Sequence, residues 1–357
     1  MNESVGDKRV SYYDWLRIIA TFYVVFGHSL YLEYKTIYGG IDYLWLDSAQ
    51  TVYNTLYYQI GVHIVSWIYT FHMPLFFFLS GAVLALKPLG TYWTFVIKKA
   101  KRLWVPYLCV GYFFMLPVKY ISGFYDSMGL KWAIGGLWRG IESGHLWFLA
   151  AVFWVMVIFA AIYKVLQRVH MQKVLLPIML LIQSTCQWIP KDILGLVSGL
   201  SMIFWFALGF AFERNRERLK KYPFFLWFVL FGAGVLSDIV ISQYDKAPAL
   251  VLVIIRGSAT CSLTQIANIS LEAVTNTRPY KILTEHLFDI YLYHDPLEYF
   301  ILFCFFKWDI VSWPGGGCLL IATRIFGTIV ISLILGLVID MVGRQFGKKG
   351  RWKETRK

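Results

Sequence analysis

"YYDWLRIIATFYVVFGHSLYL", residues 12–32, decides the fold class. It has the length a bilayer's hydrocarbon core asks of a helix, about 20 residues, yet it carries Arg17 and His28. A cationic residue deep in a bilayer costs roughly 2.5–3.5 kcal/mol on insertion scales, so such residues face a protein interior or a wet cavity. The interval from Arg17 to His28 turns through about 1100°, within roughly 20° of three full turns, so both side chains share one face. It rises roughly 16 Å, about half the hydrocarbon thickness. One stripe of one helix thus carries a cation near one leaflet and an imidazole beyond the midplane.

The surrounding chain agrees. Its 357 residues are 58% hydrophobic and only 15% charged, with a mean hydropathy of +0.57, whereas soluble domains sit near 45–50% apolar and about 25% charged. The expected fold is an all-α, polytopic membrane bundle. Apolar runs near 12–32, 62–86, 103–122, 145–166, 174–189, 193–212, 223–242, 248–268, 284–305 and 317–342 predict about ten transmembrane helices. With the N-terminus cytoplasmic, the inside segments hold 24 of the 34 Lys and Arg residues and the outside segments seven, Lys119 among them. That bias places both termini in the cytoplasm. The net charge of +13 therefore sets topology, and no nucleic-acid partner is expected. Residues 1–11 are expected to form a cytoplasmic tail with no cleavable signal, 12–342 the membrane domain and 343–357 a basic cytoplasmic tail. The five cysteines make no CxxC pair, so packing rather than metal binding is expected of them.

Ionisable groups within spans are functional candidates. Arg17 follows Asp14 by one turn, so it pairs structurally, snorkels, or holds an anion. His72, in "FHMPLFFFLSG", lies at a depth comparable to His28 on the sequential helix, which predicts a shared cavity. Pro74 kinks that helix, and Ser80 and Gly81 let another helix approach closely. "ESGHLWFL" puts Glu142, His145 and Trp147 at the outer mouth of the fourth span, a set suited to a sugar or equally to an interfacial belt. His294 lies near the midplane, flanked by Asp289 and Asp295. Arg256 and Arg324 call for partners, with Asp238 and Asp295 as candidates. Lys98, Lys99, Lys101 and Arg102 make a basic turn fit for a phosphorylated donor, or an ordinary basic inside loop. No Walker A, GxGxxG or HExxH stretch appears.

In order along the chain, Arg17 with His28, "FHMPLFFFLSG" (71–81), "KKAKRLWVPY" (98–107), "HLWFL" (145–149) and "IYLYHDPL" (290–297) resemble the acyltransferase-3 family of integral-membrane O-acyltransferases, fucose 4-O-acetylase-like members included. The resemblance implies an acyl-CoA donor, usually acetyl-CoA, no permanently bound cofactor and no metal. It also implies a sugar, polysaccharide or lipid-linked glycan acceptor beside membrane lipid. The family's essential Arg and His map onto Arg17 and His28, and its basic motif onto Lys98, Lys99, Lys101 and Arg102. Lysines replace arginines at several of these places, which loses bidentate phosphate geometry. No esterase-like domain is expected, so transfer is direct or is handed to a separate protein.

Acyl transfer from a thioester to an alcohol needs a base, and imidazole, with a pKa near 6.5, suits that work. His28 is the expected base or, alternatively, an acyl carrier. Arg17 and the basic turn would hold the CoA phosphates, while His72, Glu142, His145, Trp147 and His294 would face the acceptor. The competing expectation is a translocase for a glycan or lipid-linked oligosaccharide, which also needs many spans and buried polar groups.

Overall fold

The computed structural model describes residues 11–125, 127–219, 221–223 and 277–346, with scattered positions between 225 and 236. The described residues are almost wholly helical. The longer helices are α1 (Ser11–Ser29), α2 (Leu56–Ala85), α3 (Tyr92–Ile121), α4 (Gly144–Arg168), α5 (Leu175–Thr185), α6 (Ile203–Arg214), α7 (Arg278–Lys307) and α8 (Gly316–Val342). Among the described residues, α2, α3, α4 and α8 are long and apolar enough to cross a membrane. The apolar runs 174–189 and 193–212 are broken. The first yields α5, with 11 residues, and the second splits into Leu196–Leu200 and α6. At about 1.5 Å per residue none of these pieces alone matches a roughly 30 Å core. The run 223–242 lies largely outside the described residues, and 248–268 wholly so, together with Asp238, Arg256 and Cys261.

Helix α1 lies between α2 and α7. Its Leu16 and Ala20 pack on Leu75, Leu79 and Ala82 of α2, while Val25 packs on Leu287 and Ile290 of α7. Further along, α2 meets α6 with almost no space between backbones. A Cβ at Gly81 would stand 1.9 Å from the Phe206 carbonyl oxygen, and one at Gly209 equally 1.9 Å from that of Phe78. The expected close approach at Gly81 is thus real, and reciprocal. Ser80 instead returns its hydroxyl to the Phe76 carbonyl at 2.9 Å.

Three local features depart from the sequence expectation. Residues read as an outside loop form a hairpin, β1 (Glu33–Thr36) with β2 (Gly39–Asp42), in antiparallel register Glu33 with Asp42. The hairpin docks on the chain after α3, where Gly40 N–H donates to the Phe124 carbonyl at 2.7 Å. Second, the basic turn 98–102 lies within α3 rather than before it. Third, α3 and α8 each contain one wide π-helical turn, Gly111–Met115 and Thr323–Gly327. Such turns occur often at functional sites. Here one immediately precedes the segment with Lys119 and the other contains Arg324, both completely buried. Lys119 is therefore no outside-loop cation.

Candidate active site

Asp295, on α7, is the centre of the polar interior. Its Oδ1 lies 3.0 Å from His28 Nδ1, and its Oδ2 lies 3.1 Å from Lys119 Nζ and 3.2 Å from His145 Nδ1. Three other helices thus converge on one buried carboxylate of α7. The His28 contact is off the axis of the ring N–H, so it is an electrostatic pairing rather than a linear hydrogen bond. The Lys119 ammonium also sits over the rings of Phe124 and Tyr299, 4.6 and 4.8 Å from their centroids. Ionic groups so deep persist only when paired and hydrogen-bonded.

Pro296, next in sequence, has a second effect. Lacking an N–H, it leaves the Leu292 carbonyl without its helical partner, and that oxygen accepts from His145 Nε2 at 2.9 Å. Both nitrogens of His145 therefore face acceptors, and neither is left to act as a base. The Tyr291 hydroxyl holds the same residue by its backbone, donating to the His145 carbonyl at 2.6 Å. His294 is sandwiched between His28 and His145, its ring centroid 5.1 and 5.0 Å from theirs. Its Nδ1 donates to the carbonyls of Tyr291 and Ile290, at 2.8 and 3.1 Å, and it is fully buried. It does not line the cavity described below.

Arg324 does not pair with Asp295 as the sequence proposed. Its guanidinium donates to the carbonyls of Tyr31 and His28, each at 2.8 Å, and lies 3.7 Å from Glu298 Oε2. A cation beside the carbonyls at a helix C-terminus is favourable. In this case it also fixes the backbone of His28 itself.

His28 and His72 share a cavity of about 100 Å³, as their matched depths predicted; His145, Trp147, Met73, Phe76 and Phe148 complete most of its wall. A larger cavity, about 390 Å³, opens between the hairpin and the start of α4, lined by Tyr34, Lys35, Glu142, Ser143 and Gly144 among others. Trp147 belongs to both walls. Glu142 is buried and accepts from the Tyr125 hydroxyl at 3.1 Å. At the rim, Glu33 and Asp42 hold the Lys35 ammonium above its usual pKa, at 2.6 and 3.4 Å. His63 is exposed and apart from both cavities.

At the other end of α1, Arg17 is half-exposed and lies 3.8 Å from Asp14. It is close enough to Arg102 to repel it, which brings the two predicted donor-binding elements together. The basic turn divides by face: Lys99 and Arg102 are half-buried, whereas Lys98 and Lys101 are exposed. Neither Arg17 nor the basic turn touches the small cavity. Among the described residues no group of His, Cys, Asp and Glu is arranged to hold a metal ion.

Sequence reasoning did not find Lys119 or the central role of Asp295. The usable signal was Pro296, since "HDP" inside an apolar helix marks a freed carbonyl beside two titratable groups.

Helices long and apolar enough to cross a membrane thus surround a buried His–Asp–Lys centre with a cavity on its imidazoles. The chain belongs to the acyltransferase-3 family, whose model, described as an acyltransferase domain, matches residues 10–339. It is thus a membrane acyltransferase. No curated protein and no solved structure matches the chain.

Proposed function

We propose that this protein moves an acyl group, acetyl by family resemblance, from acyl-CoA to a hydroxyl of a cell-surface or exopolysaccharide sugar, with His28 as general base. The carrying observation is the pairing of His28 Nδ1 with Asp295 at 3.0 Å, on a ring that lines the small cavity. The negative charge 3.0 Å from Nδ1 favours a proton on that nitrogen, which leaves the Nε2 lone pair free. His28 Nε2 takes the proton of the acceptor hydroxyl as its oxygen attacks the thioester carbonyl. The C–S bond then breaks, and the imidazolium returns the proton to the CoA thiolate. Asp295 stabilises the intervening imidazolium, and Lys119 and His145 hold Asp295 in place.

Arg17, Lys99 and Arg102 hold the CoA phosphates in this scheme, with Lys98 and Lys101 adding to the local positive potential. Extended pantetheine then bridges the roughly 16 Å of helix rise from Arg17 to His28. The acceptor occupies the larger cavity, against Trp147 and Glu142, whose indole face and carboxylate suit a pyranose ring and its hydroxyls. His72 faces the reaction from across the small cavity. Membranes carrying the full chain should transfer label from [14C]acetyl-CoA to the glycan fraction, and His28→Ala should abolish this with the protein still folded. Transfer at wild-type rate by His28→Ala refutes the assignment of the base.

A further inference from the structure

Two cavities serve one reaction in this scheme, so the reacting carbon lies where they meet. Of the described residues, Trp147 alone lines both. As the acceptor oxygen attacks, the electrons of the C=O bond move onto the carbonyl oxygen. That charge needs a hydrogen-bond donor already aimed at it.

The wall of the small cavity offers few donors. Both nitrogens of His145 face acceptors, the Asp295 carboxylate and the Leu292 carbonyl. The Tyr291 hydroxyl donates to the His145 carbonyl. His28 holds its proton toward Asp295, and its other nitrogen is the base. In His72, Nδ1 is buried and lies near the carbonyls of Ile68 and Tyr69, though not in line with them, which draws its proton away from the cavity. An indole N–H, by contrast, is a donor in every protonation state. Trp154 gives its own to the Leu194 carbonyl at 3.0 Å, and those of Trp15 and Trp67 are buried without an acceptor. Among the described residues the N–H of Trp147 is neither bonded nor buried.

Its placement is fixed by the same carboxylate that orients the base. Asp295 pairs with His28 and also with His145, two residues before Trp147. Gly144 lies so close to the Lys119 ammonium that a Cβ there would stand 3.0 Å from Nζ. A donor tied down in this way is oriented before the charge develops, which is what makes such groups effective. The regular helix begins at Trp147 and runs for 22 residues, and its first two residues both line the small cavity. The positive end of a helix dipole favours negative charge there.

We propose that the Trp147 indole N–H, at the positive end of α4, is the oxyanion donor of the transfer. The inference rests on the acyl transfer proposed above and adds the group that meets its oxyanion. His28 Nε2 takes the hydroxyl proton, the acceptor oxygen bonds to the acyl carbon, and the carbonyl oxygen, now negative, accepts from Trp147. As the C=O bond re-forms the C–S bond breaks, and the proton passes from His28 to the thiolate. Trp147 gives up no proton and ends as it began.

The test uses the full chain purified in detergent, with acetyl-CoA as donor, methyl glycosides as acceptors and release of CoA thiol as the readout. Trp147→Phe keeps an aromatic face for the sugar and removes the N–H. Its kcat should fall about 100- to 1000-fold, while KM for acetyl-CoA and for the glycoside stays within about threefold, as for a contact made only in the transition state. Should Trp147→Phe fail to fold, 3-benzothienylalanine at position 147, with sulfur in place of the N–H, keeps the shape and reads the same loss. A kcat within about threefold of wild type overturns the inference, whether KM for the glycoside is unchanged or has risen as for a residue that only stacks. A wild type that releases no thiol with any glycoside overturns the acyl-transfer reading, and the inference with it.

Discussion

Replacing Asp295 by Asn keeps the shape of the site and removes the charge on which three other helices converge. Two separable losses follow. The first is structural: Lys119 is completely buried and contacts Asp295 at 3.1 Å, and a buried pair that loses one partner costs about 3–5 kcal/mol because the other charge is stranded. The second is chemical. At 3.0 Å a carboxylate attracts an imidazolium by about 5 kcal/mol at an effective dielectric of 20. Lys119 stays in the variant, so the whole of that attraction is lost, and about 5 kcal/mol corresponds to a rate loss of up to several thousand-fold. Both should be measured on purified protein, as thermal unfolding followed by size-exclusion and as label transfer from acetyl-CoA. The double variant Asp295→Asn with Lys119→Met separates the losses: stability should return, since removing both charges of a buried pair is close to neutral, while activity stays low. Activity within threefold of wild type in Asp295→Asn, or recovery of both properties in the double variant, would refute the role given to this carboxylate.

Other substitutions probe different parts of the assembly. Arg324→Lys keeps a cation beside Glu298 but cannot span the carbonyls of Tyr31 and His28 as a planar guanidinium does; kcat should fall several-fold with little change in KM for acetyl-CoA, and an unchanged kcat would disprove the capping role. Lys99→Gln and Arg102→Gln should each raise KM for acetyl-CoA about tenfold, as expected for a lost charged hydrogen bond, whereas the exposed Lys98 and Lys101 should matter less; equal effects at all four positions would show that only net potential counts. Gly81→Ala forces a methyl against the Phe206 carbonyl and should cost about 1–3 kcal/mol of stability, read as loss of monodisperse protein. If Gly81→Ala unfolds at the wild-type temperature, α2 and α6 are not as tightly apposed as described.

Much of this protein can be read from residue order, for a definite physical reason. Hydrocarbon tolerates so few arrangements of backbone and charge that apolar runs with isolated Arg and His residues already declare an all-helical membrane protein with a polar interior. The 3.6-residue period put Arg17 and His28 on one stripe, and matched depth put His28 with His72, which the shared cavity bears out. The motif series likewise pointed to the family whose model covers residues 10–339.

Partner choice was not legible, because it depends on which faces meet. Lys119 looked like a loop cation and is instead the counter-charge of Asp295, brought inward after a π-helical turn that composition does not announce. Arg324 took Glu298 and the carbonyls of His28, in α1, and Tyr31, just beyond it, rather than either aspartate proposed for it. The hairpin at 33–42 docks against Phe124, about 84 residues away in sequence from Gly40, which bonds it. Local periodicity determines which side chains lie on one helix face; only the packed helices decide which buried charge each of them meets, because that pairing is settled by distances of a few ångströms between segments far apart in the chain.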